Sequence, residues 1–412
     1  MDFEVIVIGG GAAGMLAAIQ CAQLGRKAAL IERNEKVGRK LAITGKGRCN
    51  VTNNTDRDTV LKNIPRNPRF LYSALSAFSP EDVMNFFEGE GVPLKTERGN
   101  RVFPVSDRAY DIVDALYGRL KKCGVAVIRA RAEEILTGDG AVVGVRTDQR
   151  DFRAGRVILA TGGLSYPVTG STGDGYRIAE RLGHTVVPPK PSLVPIETRE
   201  DCAEMMGLSL KNAALSVRDN EKGKVIFSEM GEMLCTHFGV SGPLVLSASA
   251  RMEPFREGRY TLLIDLKPAL SAEKLDDRIV RDLTERKNSR ISNALRKLLP
   301  EKIIAPILRH TEISPEKQCN SVTKAERQRL GGAVKAFPLT PTGFRPIAEA
   351  VVTDGGIDVR EISPKTMESK KVKGLYFAGE VIDVSGFTGG FNLQIAFSTG
   401  YCAGIAAAQS CE

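Results

Sequence analysis

The chain has 412 residues, of which 42% are hydrophobic and 26% charged, and its formal net charge is +9. This composition is that of an ordinary folded protein and excludes a disordered or collagen-like chain, while the length predicts two or three domains. No apolar run approaches the ~20 residues that cross a bilayer, and the amino terminus lacks the pattern of a secretory signal. We therefore expect a cytoplasmic protein with no membrane segment.

The chain contains eight cysteines and three histidines, and no two of the cysteines form a C-x-x-C pair. A metal site and a dithiol redox centre are therefore not expected. Most of the thiols should be reduced, and several should be buried as small hydrophobic residues. The basic charge leaves nucleic acid and acidic ligands open as partners, although a basic surface suited to a diphosphate ligand explains it more simply.

The stretch from Phe3 to Arg33, FEVIVIGGGAAGMLAAIQCAQLGRKAALIER, organises the rest of the chain. Phe3 to Ile8 predicts a buried parallel strand, Ala12 to Leu24 a helix, and Lys27 to Ile31 a second strand that ends at Glu32.

The turn between the first strand and the helix carries Gly9, Gly11 and Gly14 as G-x-G-x-x-G. The three glycines permit a tight turn, close approach to a pyrophosphate and close helix packing, in that order. The helix presents its first N–H groups to the phosphates, and Glu32 can accept hydrogen bonds from a ribose. The motif predicts a dinucleotide site without choosing between FAD and NAD.

The segment 38–53, GRKLAITGKGRCNVTN, is predicted to be a loop that binds the same ligand, because it combines glycines with basic side chains. A plain surface loop is the alternative. Cys49 within it is expected to be a packing residue rather than a redox group. The basic residues are Arg39, Lys40, Lys46 and Arg48.

The next stretch predicts helices, strands and an antiparallel crossover. Ser79, Pro80 and the acids after them suit a helix start. A crossover of antiparallel strands inside such a domain is more typical of FAD than of NAD domains. The helices are predicted over Ser79 to Glu90 and Asp107 to Cys123, a strand over Val125 to Ile128, and the crossover over Ala130 to Ile135 and Ala141 to Thr147, closed by Phe152.

Two glycine turns surround a further strand end. The strand RVILATGG closes at Gly162 and Gly163, and GSTGDGY opens a helix over Tyr176 to Leu182. Bare backbone on both sides of one strand end predicts a second contact with a large cofactor. Asp174 either caps this helix or touches the ligand.

Prolines at 188, 189, 191 and 195 predict a domain boundary, because proline interrupts helices and central strands. The residues beyond it predict an inserted β-rich domain with its own helices. Its strands are expected over Ser192 to Thr198, Asn212 to Arg218, Lys224 to Ser228 and Tyr260 to Leu266, and its helices over Ser271 to Asn288, Ile291 to Leu299, Glu301 to Arg309 and Thr323 to Ala336.

Phe337-Pro338-Leu339-Thr340 is predicted to return to the first domain, with strands over Ile347 to Thr353 and Gly374 to Ala378. A glycine-led helix then runs to about Gln409, and its small residues should let it pack closely. The sequence thus predicts an α/β fold: a Rossmann-like domain in 1–190 and 337–412, interrupted by a β-rich domain in 191–336 whose helical part covers about 270–336.

The first stretch, the A-T-G-G strand end and G-L-Y-F-A-G-E together resemble FAD enzymes of the glutathione-reductase type. Four longer motifs narrow the resemblance: GRKLAITGKGRCNVTN, ATGGLSYPVTGSTGDGY, THFGVSGP and FAGEVIDVSGFTGGFNLQ. They are similar to a bacterial family described as aminoacetone-oxidase-like flavoproteins or oxo-bile-acid double-bond reductases. The resemblance covers essentially the whole chain.

The resemblance implies FAD in an interrupted Rossmann domain of the glutathione-reductase type, with an inserted β-barrel-like domain and a helical subdomain. It also implies that successive motifs hold the pyrophosphate, adenosine, ribitol and flavin ring. Substrate does not transfer, because members of the family differ in their chemistry. The implied cofactor residues are Gly9, Gly11, Ala12, Ala13 and Gly14; Glu32 and Arg33; Arg39, Lys40, Gly45 and Gly47; Ala132; Thr161 and Gly162; Gly379 and Glu380; and Gly390, Asn392 and Leu393.

Three functions follow as hypotheses. The first is NAD(P)H-driven reduction of an activated carbon–carbon double bond in an oxo-steroid-like enone, with Tyr166 or His237 as proton donor. The second is an amine oxidase that uses O₂. The third is an RNA-associated or redox-sensing flavoprotein that uses basic residues of the helical insert, for which a solvated helix face is the simpler reading. Those residues are Arg281, Arg286, Lys287, Arg290, Arg296 and Lys297.

The nicotinamide has no motif of its own, because 170–175 has the wrong glycine spacing. NADH or NADPH would therefore visit the flavin transiently. A small-molecule substrate is the expected partner, and the sequence does not give the oligomeric state.

Overall fold

A computed structural model describes residues 1–411. The chain forms two compact units: the first contains residues 1–192 and the chain from Ile347 onward, and the second contains residues 193–346. Before the insertion, the first unit contains β1 (Val5–Ile8), α1 (Ala12–Gln23), β2 (Ala28–Glu32), α2 (Arg39–Gly47), β3 (Thr52–Asn53), α3 (Arg57–Lys62), α4 (Tyr72–Ala77), α5 (Pro80–Gly89), β4 (Leu94–Glu97), β5 (Arg101–Pro104), α6 (Ala109–Lys122), β6 (Ala126–Arg129), β7 (Ala132–Gly138), β8 (Ala141–Thr147), β9 (Asp151–Arg153), β10 (Arg156–Leu159), α7 (Asp174–Arg181) and β11 (Val186–Ser192).

The second unit is antiparallel β structure followed by helices, after which the chain returns to the first unit. The second unit contains β12 (Ile196–Thr198), β13 (Ser209–Asp219), β14 (Lys224–Cys235), β15 (Gly239–Ser241), α8 (Pro243–Ser249), β16 (Tyr260–Asp265), α9 (Ala272–Glu285), α10 (Ile291–Ala294), α11 (Glu301–His310), α12 (Lys324–Lys335), β17 (Phe337–Leu339) and β18 (Pro341–Phe344). The returning chain adds β19 (Val352–Ile357), β20 (Leu375–Phe377) and α13 (Phe391–Gln409).

A five-stranded parallel sheet in the order β20-β10-β1-β2-β6 is the centre of the first unit. Every residue of β1 and β2 is buried, as expected of strands covered on both faces. Because the strands are parallel, all of their carboxyl ends lie at one edge. This edge collects the residues that the sequence assigns to a cofactor.

Helices α1 and α13 pack on this sheet through small residues. A Cβ on Gly404 would come within 2.9 Å of Gln20 Cβ, and one on Gly400 within 3.0 Å of Ala13 Cα. The predicted role of the small residues in the last helix is therefore confirmed, because any larger side chain would force the two helices apart.

The antiparallel crossover is also as predicted. Strands β7, β8 and β9 form a three-stranded sheet, and Phe152 in β9 is buried. The predicted helix from Ser79 is confirmed as α5, where Ser79 and Asp82 form a capping box.

The second unit is a seven-stranded antiparallel sheet in the order β17-β16-β13-β14-β15-β12-β18. Its two edge strands, β17 and β18, follow each other in the chain with Thr340 between them. The sheet must therefore curl until its edges meet, which gives the barrel-like form that the family resemblance implies. Helices α9 to α12 share one apolar core with the strands.

The predicted return to the first unit at residue 337 is wrong. Phe337 to Leu339 pairs with β16 in the second unit, and Pro341 to Phe344 pairs with β12. The chain reaches the first unit only at Ile347. The prolines at 338 and 341 do not exclude β structure here, because β17 and β18 are edge strands, and edge strands tolerate proline. The strand predicted from Ile347 begins at Val352, after a short 3₁₀ turn.

The domain boundary predicted at the proline cluster lies beside the start of the second unit at Leu193. The prolines themselves do not interrupt secondary structure, because Pro188, Pro189 and Pro191 lie in β11, which in the described residues pairs only with β19, across a bulge. Such a two-stranded ribbon needs few donors from its residues. The segment 38–53 is not a loop throughout, since its first part forms α2, which breaks at Thr44 to Lys46.

Within the described chain, no helix has the length and apolar character needed to cross a membrane.

The close packing of α13 on α1 gives a stability test. Replacing Gly404 by alanine should lower the free energy of unfolding by about 1–3 kcal/mol, because the new methyl group is forced against α1. Gly118 in α6 is the matched control, since nothing lies within 4 Å of a Cβ placed there. Gly118→Ala should raise stability by about 0.4–1 kcal/mol. Denaturant unfolding measures both free energies of unfolding. Equal changes in Gly404→Ala and Gly118→Ala would contradict this packing.

Candidate active site

The carboxyl ends of the five parallel strands bring the predicted cofactor residues to one edge of the sheet. Gly9 follows β1, Glu32 ends β2, Ala132 comes shortly after β6, Thr161 follows β10 and Gly379 follows β20. Ligands of open α/β sheets bind outside such an edge. The parallel pairing of the strands therefore makes one site out of motifs that are up to 370 residues apart in the chain.

The β1–α1 turn has the form that a diphosphate needs. Gly9 has φ 106°, and a Cβ there would lie within 2.8 Å of the Ala160 carbonyl carbon. Gly14 has no room either, because its Cβ would collide with the Gly9 carbonyl oxygen. Gly11 differs, since nothing lies within 4 Å of a Cβ there. Open space thus adjoins the first turn of α1, where Ala12 and Ala13 begin the helix.

Glu32 is buried and holds this turn. Its Oε2 accepts the Gly10 N–H at 2.7 Å, and its Oε1 accepts the backbone N–H and the Nδ2 of Asn34 at 2.8 and 2.7 Å. Asn34 thus occupies both lone pairs of Oε1, while Oε2 accepts one hydrogen bond and has a second lone pair. The side chain therefore braces the glycine turn while it keeps capacity to accept a ribose hydroxyl.

The chain after β2 is bonded to the second glycine turn. Arg33 Nη1 donates to Thr172 Oγ1 and to Asp174 Oδ2, both at 2.7 Å. Asn34 Nδ2 donates to the Thr169 carbonyl at 3.1 Å, and Arg39 Nη1 donates to Asn34 Oδ1 at 2.9 Å. The two glycine turns are thereby joined at the sheet edge.

Asp174 does not cap α7, whose N-cap is Gly173. Its carboxylate accepts hydrogen bonds from Arg33, Arg131 and Arg177. The predicted cap is therefore wrong, and the Asp174 carboxylate forms ion pairs with three arginines, while the predicted ligand contact stays a prediction.

Thr161 and Gly162 follow β10. The Thr161 Oγ1 is buried and has no hydrogen-bond partner in the described residues, an exception among buried hydroxyls. Gly162 has φ 74°, and Gly175 packs against the Thr161 side chain. A buried hydroxyl without a partner at this edge is suited to a polar group of a bound ligand.

Lys40 and Glu380 form an ion pair that joins α2 to the end of β20. Lys40 Nζ lies 2.6 Å from Glu380 Oε2 and 2.6 Å from Ser165 Oγ. Glu380 Oε1 accepts from Ser165 Oγ at 2.9 Å and from the Thr353 N–H at 2.8 Å. Burial alone would raise the pKa of Glu380, but the Lys40 charge and these hydrogen bonds hold it below its usual value.

The start of α13 is built on close backbone contacts with the β3 region. Gly390 has φ 98°, and a Cβ there would come within 2.9 Å of Thr52 Cα. Asn53 Nδ2 donates to the Gly389 carbonyl at 2.9 Å. With its amide oriented by its neighbours, Asn50 accepts the Gly390 N–H at 2.9 Å. The α2–β3 segment thus fixes the α13 N-terminus.

Asn392 closes the glycine loop before α13, and Leu393 lies partly buried beside it. The Asn392 Oδ1 accepts the Gly386 N–H at 2.9 Å, and the Asn392 Nδ2 donates to the Gly386 carbonyl at 2.7 Å. Further along α13, Thr399 Oγ1 accepts the Gly379 N–H at 2.9 Å. The Asn392 amide therefore shapes the entrance to the helix.

Helix α13 reaches past the sheet edge. Gly400 packs at the level of Ala13 and Gly404 at the level of Ala17, so α13 runs parallel to α1. Its first residue is nine positions before Gly400, which at 1.5 Å per residue places the helix start about 13 Å beyond α1's first turn. The positive ends of two helix dipoles therefore lie at separate points along one elongated site.

The end of α2 is less closely tied to this site. Gly45 and Gly47 have φ 57° and 84°. Arg48 donates to Glu97 and Asp107 and lies 4.2 Å from the centre of the Phe103 ring. Cys49 is fully buried, and burial raises the pKa of its thiol to about 12. A neutral thiol of this kind does not suit redox chemistry, in agreement with the packing role that the sequence predicted.

The two candidate proton donors lie in different units. Tyr166 precedes a 3₁₀ turn with φ 50° and ψ 59°, an unusual backbone for a bulky residue, and is partly exposed. Its hydroxyl has no hydrogen-bond partner among residues 1–411. His237 is exposed between β14 and β15, and its ring meets Phe238 edge to face at 5.1 Å.

Sequence reasoning missed several residues that hold the site together. Ser165 lies in the quoted ATGGLSYP motif, and its position beside Tyr166 could have pointed to it. Thr353 was seen only as the end of a strand, while its hydroxyl accepts the N–H groups of Leu164 and Ser165 at 2.8 and 3.1 Å. No sequence pattern marks Thr399 as a site residue, because it is one of many small residues in α13.

The basic residues of the helical insert are largely neutralised. Arg290 pairs with Glu316 at 2.6 Å, Arg296 with Glu301 at 2.7 Å, and Lys297 with Glu285 at 3.0 Å. Their charges are thus shared with carboxylates on the same surface. With Arg281, which lies 3.9 Å from Asp282, four of the six residues have a carboxylate within 4 Å, while Arg286 and Lys287 form no ion pair in the described residues.

The residues at the sheet edge fit FAD. A long dinucleotide needs bare backbone and N–H donors at its diphosphate and polar partners along its length. The open space at Gly11, the unpartnered Thr161 hydroxyl and the two separated helix N-termini supply these features.

Comparison with known proteins agrees with this arrangement. A family model described as HI0933-like protein Rossmann domain matches residues 3–406. The chain is 34% identical to the Ribosomal RNA dihydrouridine synthase of Escherichia coli K12, over 97% of the chain and 96% of that protein. It is 32% identical to the 3-dehydro-bile acid delta(4,6)-reductase of Clostridium scindens, over 98% of both. A Haemophilus influenzae protein with the dihydrouridine synthase name is 32% identical over 98% of both.

Solved structures with low identity share the fold. The 3-ketosteroid delta1-dehydrogenase of Sterolibacterium denitrificans gives a TM-score of 0.52 at 15% identity and covers 99% of both chains. The quinol fumarate reductase FrdA of E. coli gives 0.53 at 18% identity, over 100% of this chain and 70% of that one.

Gly11 permits a test that separates cofactor binding from folding. Gly11→Val should fold normally, because the backbone there is extended and its Cβ meets no atom within 4 Å, yet the side chain would occupy the space for a diphosphate. We expect purified variant without yellow colour and with an unchanged unfolding midpoint of the apoprotein. A fully loaded yellow variant would refute the site. Gly118→Ala serves as the control and should keep its FAD.

The Lys40–Glu380 pair predicts a change in acid stability. The lowered pKa of Glu380 means that its ionised form adds stability above the unfolded pKa, which is lost as pH falls through the folded pKa. Lys40→Gln removes the charge that offsets burial, so the folded pKa of Glu380 should rise toward or above its unfolded value. The variant should be less stable than wild type at pH 7, and its loss of stability on acidification should shrink or reverse, so that the two proteins converge at low pH. Thermal unfolding from pH 7 to pH 4 would show this, with the exposed Lys287→Gln as control. Superimposable pH profiles of Lys40→Gln and wild type would contradict it.

Proposed function

The chain belongs to the HI0933-like family of FAD-dependent oxidoreductases, and on that basis we propose that it reduces a carbon–carbon double bond conjugated to a carbonyl group. We propose further that the double bond is that of a uracil base in ribosomal RNA. The observation that carries the proposal is the match over nearly the whole chain to relatives whose names describe two versions of this one reaction.

The two kinds of relative act on chemically similar bonds. In uridine, the double bond of the ring is conjugated to a carbonyl, and dihydrouridine is the product in which that bond is saturated. A bile acid with an oxo group conjugated to ring double bonds presents the same acceptor. In both cases, a hydride adds to the carbon remote from the carbonyl and a proton adds to the carbon beside it. One protein framework can therefore serve both substrates by changing only how it binds them.

The RNA substrate is favoured by charge. The chain carries a net charge of +9, which attracts a polyanion and has little to offer a single steroid carboxylate. Because Arg290, Arg296 and Lys297 of the helical insert are ion-paired, we expect the attraction to come mainly from other surfaces.

The chain's own groups would position the reaction. When bound, FAD supplies the hydride. The α13 N-terminus directs its dipole toward the site and favours negative charge there by up to about 2 kcal/mol when partly buried. The Lys40–Glu380 pair and Ser165 hold the backbone that precedes Tyr166.

Tyr166 is the proposed proton donor. Its hydroxyl would give a proton to the carbon beside the carbonyl and would recover one from solvent. The left-handed backbone at Tyr166 costs about 1–3 kcal/mol, and such an outlier supports a functional reason for the placement. His237 is the alternative donor.

NADH or NADPH is the proposed source of electrons. The chain has one G-x-G-x-x-G turn between a strand and a helix, so the nicotinamide would meet the flavin without a domain of its own. Reduction of an oxo-steroid enone is the second candidate function, and the Clostridium scindens relative at 32% identity favours it.

Reduction by nicotinamides and transfer to RNA can be measured in sequence. Anaerobic protein is mixed with NADH or NADPH, and loss of the visible flavin absorbance is followed. Ribosomal RNA without dihydrouridine, or an oxo-steroid enone, is then added, and reoxidation and product mass are measured. We expect bleaching, reoxidation by RNA and a uridine nucleoside heavier by two hydrogens. Tyr166→Phe should slow reoxidation about 100-fold or more while it keeps FAD.

The other outcomes are decisive as well. If only the enone reoxidises the flavin, RNA is not the substrate, and the second candidate function, reduction of an oxo-steroid enone, takes its place. No bleaching together with peroxide formation from amines would replace the reductase with an oxidase. If Tyr166→Phe is reoxidised at the wild-type rate, Tyr166 is not the proton donor, and His237→Gln is the next variant to measure.

A further inference from the structure

We propose that the surface groove between α3 and α4 binds single-stranded RNA beside the active site. This inference rests on the proposed function, and it names the surface through which the substrate is held. The groove, called here the 61–72 groove, is lined by Leu61, Lys62, Pro68, Arg69 and Tyr72.

The shape of the 61–72 groove suits a nucleobase. Its volume is about 440 Å³. Leu61 and Pro68 line it with apolar surface, and the Tyr72 side chain is 50% exposed at its edge. Proteins that hold single-stranded nucleic acid stack bases on exposed aromatic rings within basic grooves.

Tyr72 is already part of a stacked pair. The Arg57 guanidinium lies 4.0 Å from the centre of its ring, and Arg57 Nη1 is fixed by a hydrogen bond of 3.0 Å to Ser76 Oγ. Planar guanidinium groups and aromatic rings are the two surfaces on which unpaired RNA bases stack. The fixed pair reduces the entropy that a base would otherwise lose with the side chains on binding.

The groove also carries cations with no protein anion. Lys62 and Arg69 are exposed, and neither forms an ion pair with a carboxylate in the described residues. The acids nearby are engaged elsewhere: Asp56 caps α3 through Thr59, and Asp58 lies 3.3 Å from Arg57. This contrasts with the paired charges of the helical insert. The free charge of the groove is therefore positive and complementary to phosphate.

The groove is bonded to the loop that leads into α13. Arg66 donates to both oxygens of Asp383 at 2.8 and 2.9 Å, and Asn67 Nδ2 donates to the Asp383 carbonyl at 2.6 Å. The Phe387 N–H donates to the Asn63 carbonyl at 2.9 Å. The same loop ends at Gly390, beside the predicted flavin-ring residues. An RNA strand in the groove would therefore lie next to the chemistry that acts on one of its bases.

The test compares groove variants with charge-matched controls in the full-length, FAD-loaded protein. The groove variants are Lys62→Ala with Arg69→Ala, and Tyr72→Ala. The control is Lys211→Ala with Lys224→Ala, which removes two exposed lysines of the second unit outside the helical insert. Flavin content and unfolding midpoint establish that each variant is intact. The probes are a uridine-rich single-stranded oligonucleotide and purified ribosomal RNA, titrated at several salt concentrations.

Each variant has its own expected signature. Loss of the two cations should weaken binding and reduce the slope of log affinity against log salt by about 1.4, since each phosphate contact on a single strand contributes about 0.7. Tyr72→Ala should weaken binding about 5- to 100-fold and leave the slope unchanged. Tyr72→Phe should bind as wild type, because the ring is kept. The control variant with Lys211→Ala and Lys224→Ala should change the affinity and the slope much less.

Failure of the groove and failure of the proposed function give different results. If wild type binds and reduces RNA while the groove variants match the control, the groove proposal is wrong and the RNA substrate stands. If wild type reduces only an oxo-steroid and Tyr72→Ala raises its KM, the groove binds an apolar small molecule and both proposals fall. If wild type has no salt-dependent RNA affinity, the groove proposal falls with the RNA substrate.

Discussion

Contact of backbone with backbone around α1 is the constraint on which the rest of the first unit depends. On one side, Gly14 touches the turn at Gly9, and Gly9 touches Ala160 after β10. On the other side, Gly400 and Gly404 bring α13 against the helix. No Cβ fits at these points, so backbone contacts fix the position of α1 from both sides. Flexible side chains between the elements would have allowed the helix to shift. Its N-terminus is thereby fixed at the carboxyl edge, where the N–H groups and the dipole meet a ligand.

A second constraint is electrostatic and joins parts of the chain that backbone contacts do not. Lys40 is on α2, Ser165 precedes the strained Tyr166, Thr353 is in β19, and Glu380 follows β20, yet all meet in one network. The side chains of the ion pair are 24% and 20% exposed, so solvent screens their attraction only in part. Breaking a pair of this kind leaves a partly buried charge without a partner, which costs more than forming the pair gains. Such a network fixes geometry more than it adds stability, and the geometry it fixes is that of the proposed proton donor.

The proposed RNA substrate depends on where charge is free rather than on how much there is. The helical insert carries many cations, but several of them form ion pairs with carboxylates of the same helices and loops. The 61–72 groove has fewer cations, but Lys62 and Arg69 face no carboxylate of the described chain and stand beside an exposed ring. Net charge brings a polyanion to the surface, while unpaired charge next to a stacking platform holds it in place. The loop from Asp383 to Gly390 then joins that platform to the site of reaction.

The sequence by itself determined the local features: the strand–glycine–helix start, the crossover strands, the capped α5, the small-residue final helix and most of the residues collected at the sheet edge. These follow from short-range rules, because turn geometry, periodicity and capping each need only a few neighbours in the chain. Only the tertiary structure decided that Phe337 to Phe344 completes the second unit's sheet, that prolines lie in β11, and that Ser165, Thr353 and Thr399 hold the site. It also decided which cations are paired. Strand partners, hydrogen-bond partners and counter-ions are chosen from residues hundreds of positions away, and no local pattern records which of them the folded chain brings into contact.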